Sequence, residues 1–153
     1  MDISNLWRSE VTRGVEACYR SEHGDAPVEL RSPEDVDKLI DELLASDCSE
    51  NMAVLHSMER PLLPSGFPDH ELMVGANGDL QVGVLSFMDD GNFVSLGPVD
   101  GRGEVSYCTI GHMTEFPERS EIPISLVRQA VKEFLSSAGK RPACVEWQVP
   151  EFW

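Results

Sequence analysis

The residues whose types and spacing could support chemistry are the histidines and the carboxylates beside them. Asp69, His70 and Glu71 are consecutive, so they could hold a metal ion or transfer protons. His112 precedes Glu115 and could be a ligand, a base or a contact to a partner. Protein zinc sites show several ligands at motif spacing, which both groups lack. We therefore interpret the triplet as a solvated turn and expect no metal and no cofactor.

Other catalytic motifs are incomplete. Residues 63–67 resemble a serine nucleophile elbow, but the flanking prolines indicate a loop. Residues 101–103 lack the helix and lysine of a phosphate-binding loop, and residues 89–92 lack the oxygen spacing of a calcium loop. We therefore predict no catalytic residue and no enzyme. Two alternatives stay open: a small hydrolase or lyase with its site near His70 or His112, and a regulatory module that binds a small ligand or dimerises.

Charge is the strongest clue to the kind of partner. The 153 residues include 27 acidic and 12 basic side chains, a net charge of -15, and 41% of the residues are hydrophobic. The hydrophobic share favours a folded chain, and the length fits one domain over residues 1–153, with 1–13 and 149–153 peripheral. Phosphates attract lysine and arginine, so this charge opposes binding to nucleic acid or an anionic membrane. It favours a basic protein partner.

The four cysteines indicate a reducing environment. Cys18, Cys48, Cys108 and Cys144 form no C-x-x-C pair, so neither a zinc knuckle nor a redox motif is indicated. The first residues lack the basic start and apolar run of a signal peptide, and no apolar stretch reaches the roughly 20 residues needed to span a bilayer. We expect a cytoplasmic protein with free thiols.

Two helices and a series of strands must position these groups. Ser32 and Pro33 are typical of a helix start, and apolar residues at helical spacing predict a helix over 33–46. A second apolar stripe predicts a helix over 123–138, which ends before Gly139. Alternating residues predict strands at 14–20, 27–30, 52–58, 71–75, 79–87, 93–96, 104–112 and 143–149.

The connections between these elements predict the fold class. Asn77-Gly78 and residues 88–92 are typical of hairpin turns, whereas residues 113–122 show no regular pattern. Short connections between strands favour an antiparallel sheet. The fold class is therefore α+β, a mainly antiparallel sheet with both helices packed on one face.

The loops of this sheet are the expected contact surface, because hairpin tips and long loops project from a rigid scaffold. The side chains predicted to bind a partner are Asp89, Asp90, Asp100, Glu104, His112 and Glu115. Trp147 lies in the last predicted strand and could be a core residue or an interface anchor. Phe152 and Trp153 form either a sticky tail or a cover over the sheet edge.

Six segments follow one another in a recognisable order. They are residues 32–40 (SPEDVDKLI), 59–64 (ERPLLP), 79–85 (DLQVGVL), 101–105 (GRGEV), 122–124 (IPI) and 141–148 (RPACVEWQ). Together they resemble the Imm-one family of bacterial immunity proteins over most of the chain, from about residue 15 to residue 148. Trp147 corresponds to the tryptophan that is characteristic of that family. None of the six segments is a catalytic motif.

The resemblance implies inhibition by binding. Proteins of this family are made beside a secreted or contact-delivered toxin of a polymorphic toxin system, and they occlude its active or substrate-binding site. Their toxins are often nucleic-acid deaminases, which carry basic surfaces near a zinc pocket. An acidic inhibitor would imitate the phosphate backbone there. The expected partner is therefore a basic cognate toxin.

Overall fold

A computed structural model describes residues 13–98, 102–151 and 153. Its two helices are α1 (Pro33–Leu44) and α2 (Ile124–Ser136), and a short 3-10 turn covers Ser21–Gly24. Its strands are β1 (Val15–Cys18), β2 (Val28–Leu30), β3 (Met52–Ser57), β4 (Glu71–Asn77), β5 (Val82–Met88), β6 (Asn92–Ser95), β7 (Val105–Thr109), β8 (His112–Phe116), β9 (Ile122–Pro123) and β10 (Trp147–Gln148). No helix in these ranges is long and apolar enough to cross a membrane.

Most of the strands form one large antiparallel sheet. Its order is β10-β6-β5-β4-β3-β1-β2, and β9 pairs with the start of β5. β7 and β8 pair only with each other in the described part of the chain and form a separate two-stranded hairpin. The predicted α+β class and antiparallel sheet are confirmed.

The helices begin and pack as their sequences predict. The Asp35 backbone N–H donates to Ser32 Oγ at 3.2 Å, which caps α1. The apolar stripes of both helices join one core cluster, in which Leu39 and Phe134 are buried with Leu72 of β4. The polar side of α1 does not face only water, because Arg128 of α2 bonds Asp37 at 3.0 Å. Both helices therefore lie on the same face of the sheet.

The opposite face of the sheet carries the β7–β8 hairpin. A second, smaller core cluster consists of Met52, Val84, Val94, Val105, Tyr107 and Phe116. Gly75 of β4 makes room for this layer, since a Cβ there would lie 2.6 Å from the Tyr107 ring. The sheet is thus covered by helices on one face and, in part, by the hairpin on the other.

Three predicted elements differ from the structure. The strand predicted over 104–112 ends at Thr109, where the chain reverses through Ile110 and Gly111, both with positive φ. Gly111 suits a turn, but the β-branched Ile110 before it rarely adopts positive φ, so the turn is hard to recognise in the sequence. Residues 113–116, expected to be irregular, belong to the returning strand β8. The strand predicted over 143–149 shrinks to two residues, since its partner β6 is short and Pro150 follows.

Candidate partner-binding surface

His70 is a structural residue of the core side of the sheet. It is only 3% exposed, so the interpretation of residues 69–71 as a solvated turn is wrong. Its Nε2 accepts from the Ser57 backbone N–H at 2.8 Å, and Nδ1 therefore donates to Asp69 at 2.9 Å. Burial lowers the His70 pKa, although the bond to Asp69 opposes this shift. With both ring nitrogens engaged, His70 offers no lone pair to a metal or a substrate.

Arg60 draws the carboxylates near His70 into an internal network. Its Nε lies 2.9 Å from Asp69 Oδ1, and its Nη1 donates to the Gly139 carbonyl at 2.9 Å. The same Nη1 is 3.8 Å from Asp89, one of the predicted contact residues. Among residues 13–98, 102–151 and 153, no group of three or more His, Cys, Asp or Glu side chains could hold a metal ion.

The hairpin and the end of the chain enclose a cleft of about 380 Å³. We call it the acidic cleft; its lining residues are Glu104, Glu115, Phe116, Pro117, Glu118, Pro150, Glu151 and Trp153. Within the described residues, none of its four carboxylates forms an ion pair. Low-dielectric walls beside like charges strengthen the local field, so the cleft attracts cations.

Aromatic rings form the apolar part of the cleft. The Phe116 and Trp153 rings are tilted against each other with centroids 5.2 Å apart. Phe116 is fully buried, whereas Trp153 keeps 41% of its surface exposed. An exposed aromatic face beside carboxylates suits the guanidinium or ammonium group of a partner, which can stack on the ring while it pairs with an acid.

The hairpin positions the two predicted glutamates of the cleft. Glu104 directly precedes β7, and Glu115 lies in β8 opposite Ser106. Because β8 folds back along β7, two residues that are 11 apart in sequence line one cleft. If residues 104–112 formed the single strand that we predict, Glu104 and Glu115 would lie at its opposite ends. The hairpin instead brings them together.

A partly buried polar network holds the hairpin against the rest of the fold. Tyr107 donates its hydroxyl to Glu121 Oε2 at 2.6 Å, and Arg102 forms two bonds to the same carboxylate, at 2.9 and 2.7 Å. Burial alone would raise the Glu121 pKa, but the bonds from Arg102 and Tyr107 outweigh it and lower that pKa. Burial and the bond to Glu121 raise the Tyr107 pKa. The hydroxyl therefore stays protonated and the network stays intact at neutral pH.

The other predicted contact residues lie outside the cleft. Asp89 and Asp90 are exposed in the β5–β6 turn, and His112 is exposed at the start of β8. Asp100 lies outside the residues that the structure describes, as does Phe152. The structure therefore brings together Glu104 and Glu115 but adds neither turn aspartate to them.

The sequence does not predict Glu118 or Glu151 as contact residues, and it leaves the role of Trp153 open. Glu118 follows β8 and Glu151 follows β10 in the sequence. They meet Glu104 and Glu115 only because the folded chain brings these segments together. Trp153 covers Phe116, so it packs over the hairpin.

Trp147 is half-buried, packs against the core of the helical face and donates its indole N–H to the Pro142 carbonyl at 2.9 Å. These contacts favour a structural role for Trp147.

The cleft combines carboxylates with an exposed aromatic ring, whereas His70 packs against Phe134 on the helical side of the sheet with both ring nitrogens bonded. Residues 24–149 match the sequence model described as immunity protein Imm1, and the chain belongs to this Imm1 immunity protein family. The resemblance noted in the six segments is thereby confirmed. Among curated proteins, none matches the sequence. Family membership implies an immunity protein directed against a bacterial toxin, with that toxin as its partner.

Proposed function

We propose that this protein neutralises a basic toxin that acts on nucleic acid, a deaminase, by seating the acidic cleft on the surface where the toxin grips its substrate. The observation that carries the proposal is the convergence of Glu104, Glu115, Glu118 and Glu151 around Trp153. The expected cytoplasmic location and the polymorphic toxin system belong to the same proposal.

The chemistry of the cleft supports a substrate mimic. An enzyme that holds a single strand combines basic side chains for the phosphates with aromatic platforms for the bases. Carboxylates can pair with the same basic side chains, and Trp153 can stack on a guanidinium or an aromatic platform. The net charge of -15 would in addition draw a basic toxin in from a distance.

The predicted residues outside the cleft have a secondary part in this proposal. Asp90 and His112 would contact the toxin outside the cleft, where charges act mainly on the association rate. Asp100, outside the described residues, stays a predicted contact. Asp89 would contribute less than Asp90, because Arg60 lies 3.8 Å from its carboxylate and offsets its charge.

The test compares two triple variants with equal net charge. The cleft variant carries Glu104→Lys, Glu115→Lys and Glu118→Lys; the control carries Asp25→Lys, Glu34→Lys and Asp79→Lys at exposed positions away from the cleft. Binding kinetics are measured at low salt against the C-terminal toxin domain encoded beside this chain, and protection is scored by co-expression. We expect the cleft variant to associate about ten times more slowly or worse, and the control to change much less.

Two results would contradict parts of the proposal. Equal slowing in both triple variants would show that overall charge acts without the cleft, and unchanged rates in a folded cleft variant would place docking elsewhere. The deaminase assignment has its own check, in which single-stranded DNA competes with the protein for the toxin. A toxin that neither binds nor deaminates nucleic acid would remove that assignment while leaving inhibition by binding in place.

A further inference from the structure

Strand β8 has an open edge beside the acidic cleft. In the described residues it pairs only with β7, and its other edge meets no strand. His112, Met113 and Glu115 are exposed, and Met113 keeps 61% of its surface. Proteins usually block such an edge with lysine, proline, a bulge or a covering element, because unpaired backbone groups recruit another strand. β8 contains neither lysine nor proline.

The register of the hairpin shows which backbone groups point to the open edge. On the far side of β7, the Cys108 N–H donates to Asn51 Oδ1 at 3.0 Å and thus points away from β8. Cys108 is opposite Met113, so this pair is not hydrogen-bonded within the hairpin. The N–H and C=O of Met113 therefore point outward, and by alternation so do those of Glu115.

We propose that the toxin docks by adding an extended segment as a third strand along this edge, with main-chain bonds to Met113 and Glu115. This inference rests on the proposed function and specifies how the complex is built. Strand addition takes its affinity from main-chain hydrogen bonds and its specificity from alternate side chains. The edge lies next to the acidic cleft, since Glu115 belongs to both.

The side chains of β8 define the chemistry of the added segment. Met113 and Glu115 are two residues apart and lie on the outer face, opposite Cys108 and Ser106. The matching strand would place an apolar side chain beside Met113 and a basic one two residues away beside Glu115. A second copy of this chain fits poorly, because each copy would bring Glu115 and a net charge of -15 to the same edge.

Residue-resolved amide exchange in the complex with the toxin domain tests the register directly. In the protein alone, the amides of Met113 and Glu115 should exchange quickly, and those of His112 and Thr114 slowly, since only the latter pair with β7. In the complex, the amides of Met113 and Glu115 should slow by at least about tenfold, because a main-chain bond now protects each of them. A complex that leaves both amides fast would overturn the added strand without touching the proposed function.

A matched pair of variants separates the backbone from the side chain. Met113→Pro removes the outward N–H at an edge position where proline breaks no bond of the hairpin, whereas Met113→Ala keeps it. We expect Met113→Pro to weaken toxin binding about tenfold and Met113→Ala about threefold or less. Equal affinities of the two variants would overturn the proposal.

Three further outcomes of these experiments also bear on the added strand. If Met113→Pro unfolds the hairpin, as its lost amide protection would show, the exchange measurement on the unmodified protein stands alone. If the protein dimerises and Met113→Pro abolishes the dimer, the edge pairs with a second copy and the proposal fails. If no complex with the toxin domain forms at all, the proposed function fails first and this inference falls with it.

Discussion

The two faces of the central sheet differ in how they are held together. On the helical face, α1 and α2 bury their apolar stripes in one large cluster that reaches from Val15 to Val145. On the hairpin face, a small cluster around Tyr107 is supplemented by polar anchors, the Asn51 bond to β7 and the Glu121 network. Stability is therefore concentrated on the helical face, and the surface suited to recognition is attached to the other.

The largest expected effect is on the helical face. Leu39 is 2% exposed, and Leu39→Ala should lower the free energy of unfolding by about 2–5 kcal/mol. Lys38→Ala, at the exposed neighbouring position, is the control and should cost less than about 0.5 kcal/mol. Urea unfolding measures both. Toxin affinity of the folded Leu39→Ala variant should be unchanged, and a weakened affinity would show that the two faces are not independent.

A smaller effect is expected from the anchor of the hairpin. Asn51→Ala removes the acceptor of the Cys108 N–H, so it should cost about 1–2 kcal/mol and speed amide exchange in β7. Asn51→Asp keeps an acceptor oxygen and should restore most of that loss. If the alanine variant is as stable as the original protein and β7 remains protected, the hairpin is held by its apolar contacts alone.

Lowering the pH should destabilise the helical face first and the hairpin face only at a lower pH. The pKa of His70 is lowered from 6.5 by burial, so the unfolded chain binds a proton more readily than the folded one. Stability contributed by His70 should therefore fall as the pH drops through 6.5. The Glu121 pKa is lowered from 4.5, so its contribution is lost only below that value.

Urea unfolding at pH 7.5, 5.5 and 4 would resolve the two steps. His70→Gln is the control. It should remove the difference in the free energy of unfolding between pH 7.5 and 5.5 and keep the loss between pH 5.5 and 4. If His70→Gln keeps the same stability difference between pH 7.5 and 5.5 as the unmodified protein, that difference does not come from His70.

The elements of the helical face could be predicted from the sequence because each has a local signature. Ser32 caps its helix, both stripes repeat at helical spacing, and Val15 and Ala17 alternate into the core. The hairpin face lacked such signatures. The turn places Ile110 at a φ of 50°. Because the alternation of side chains continues across this turn, the sequence of β7 and the start of β8 resembles a single strand.

The candidate site was predictable only in part for the same reason. Glu104 and Glu115 were identified because charge near a projecting loop is visible in sequence. Glu118 and Glu151 were not, because they meet through chain reversals after β8 and β10. Proximity created by long-range packing leaves no spacing pattern to detect.

The limited attachment of the hairpin has a consequence for divergence. Its outer face carries Ser106, Cys108, Met113 and Glu115, and none of these belongs to either core cluster. Substitutions there can accumulate at little cost to folding, because surface changes usually alter stability by no more than about 0.5 kcal/mol. A lineage that meets an altered toxin can therefore revise this strand pair residue by residue. Its descendants would share α1 and α2 and differ most along β8.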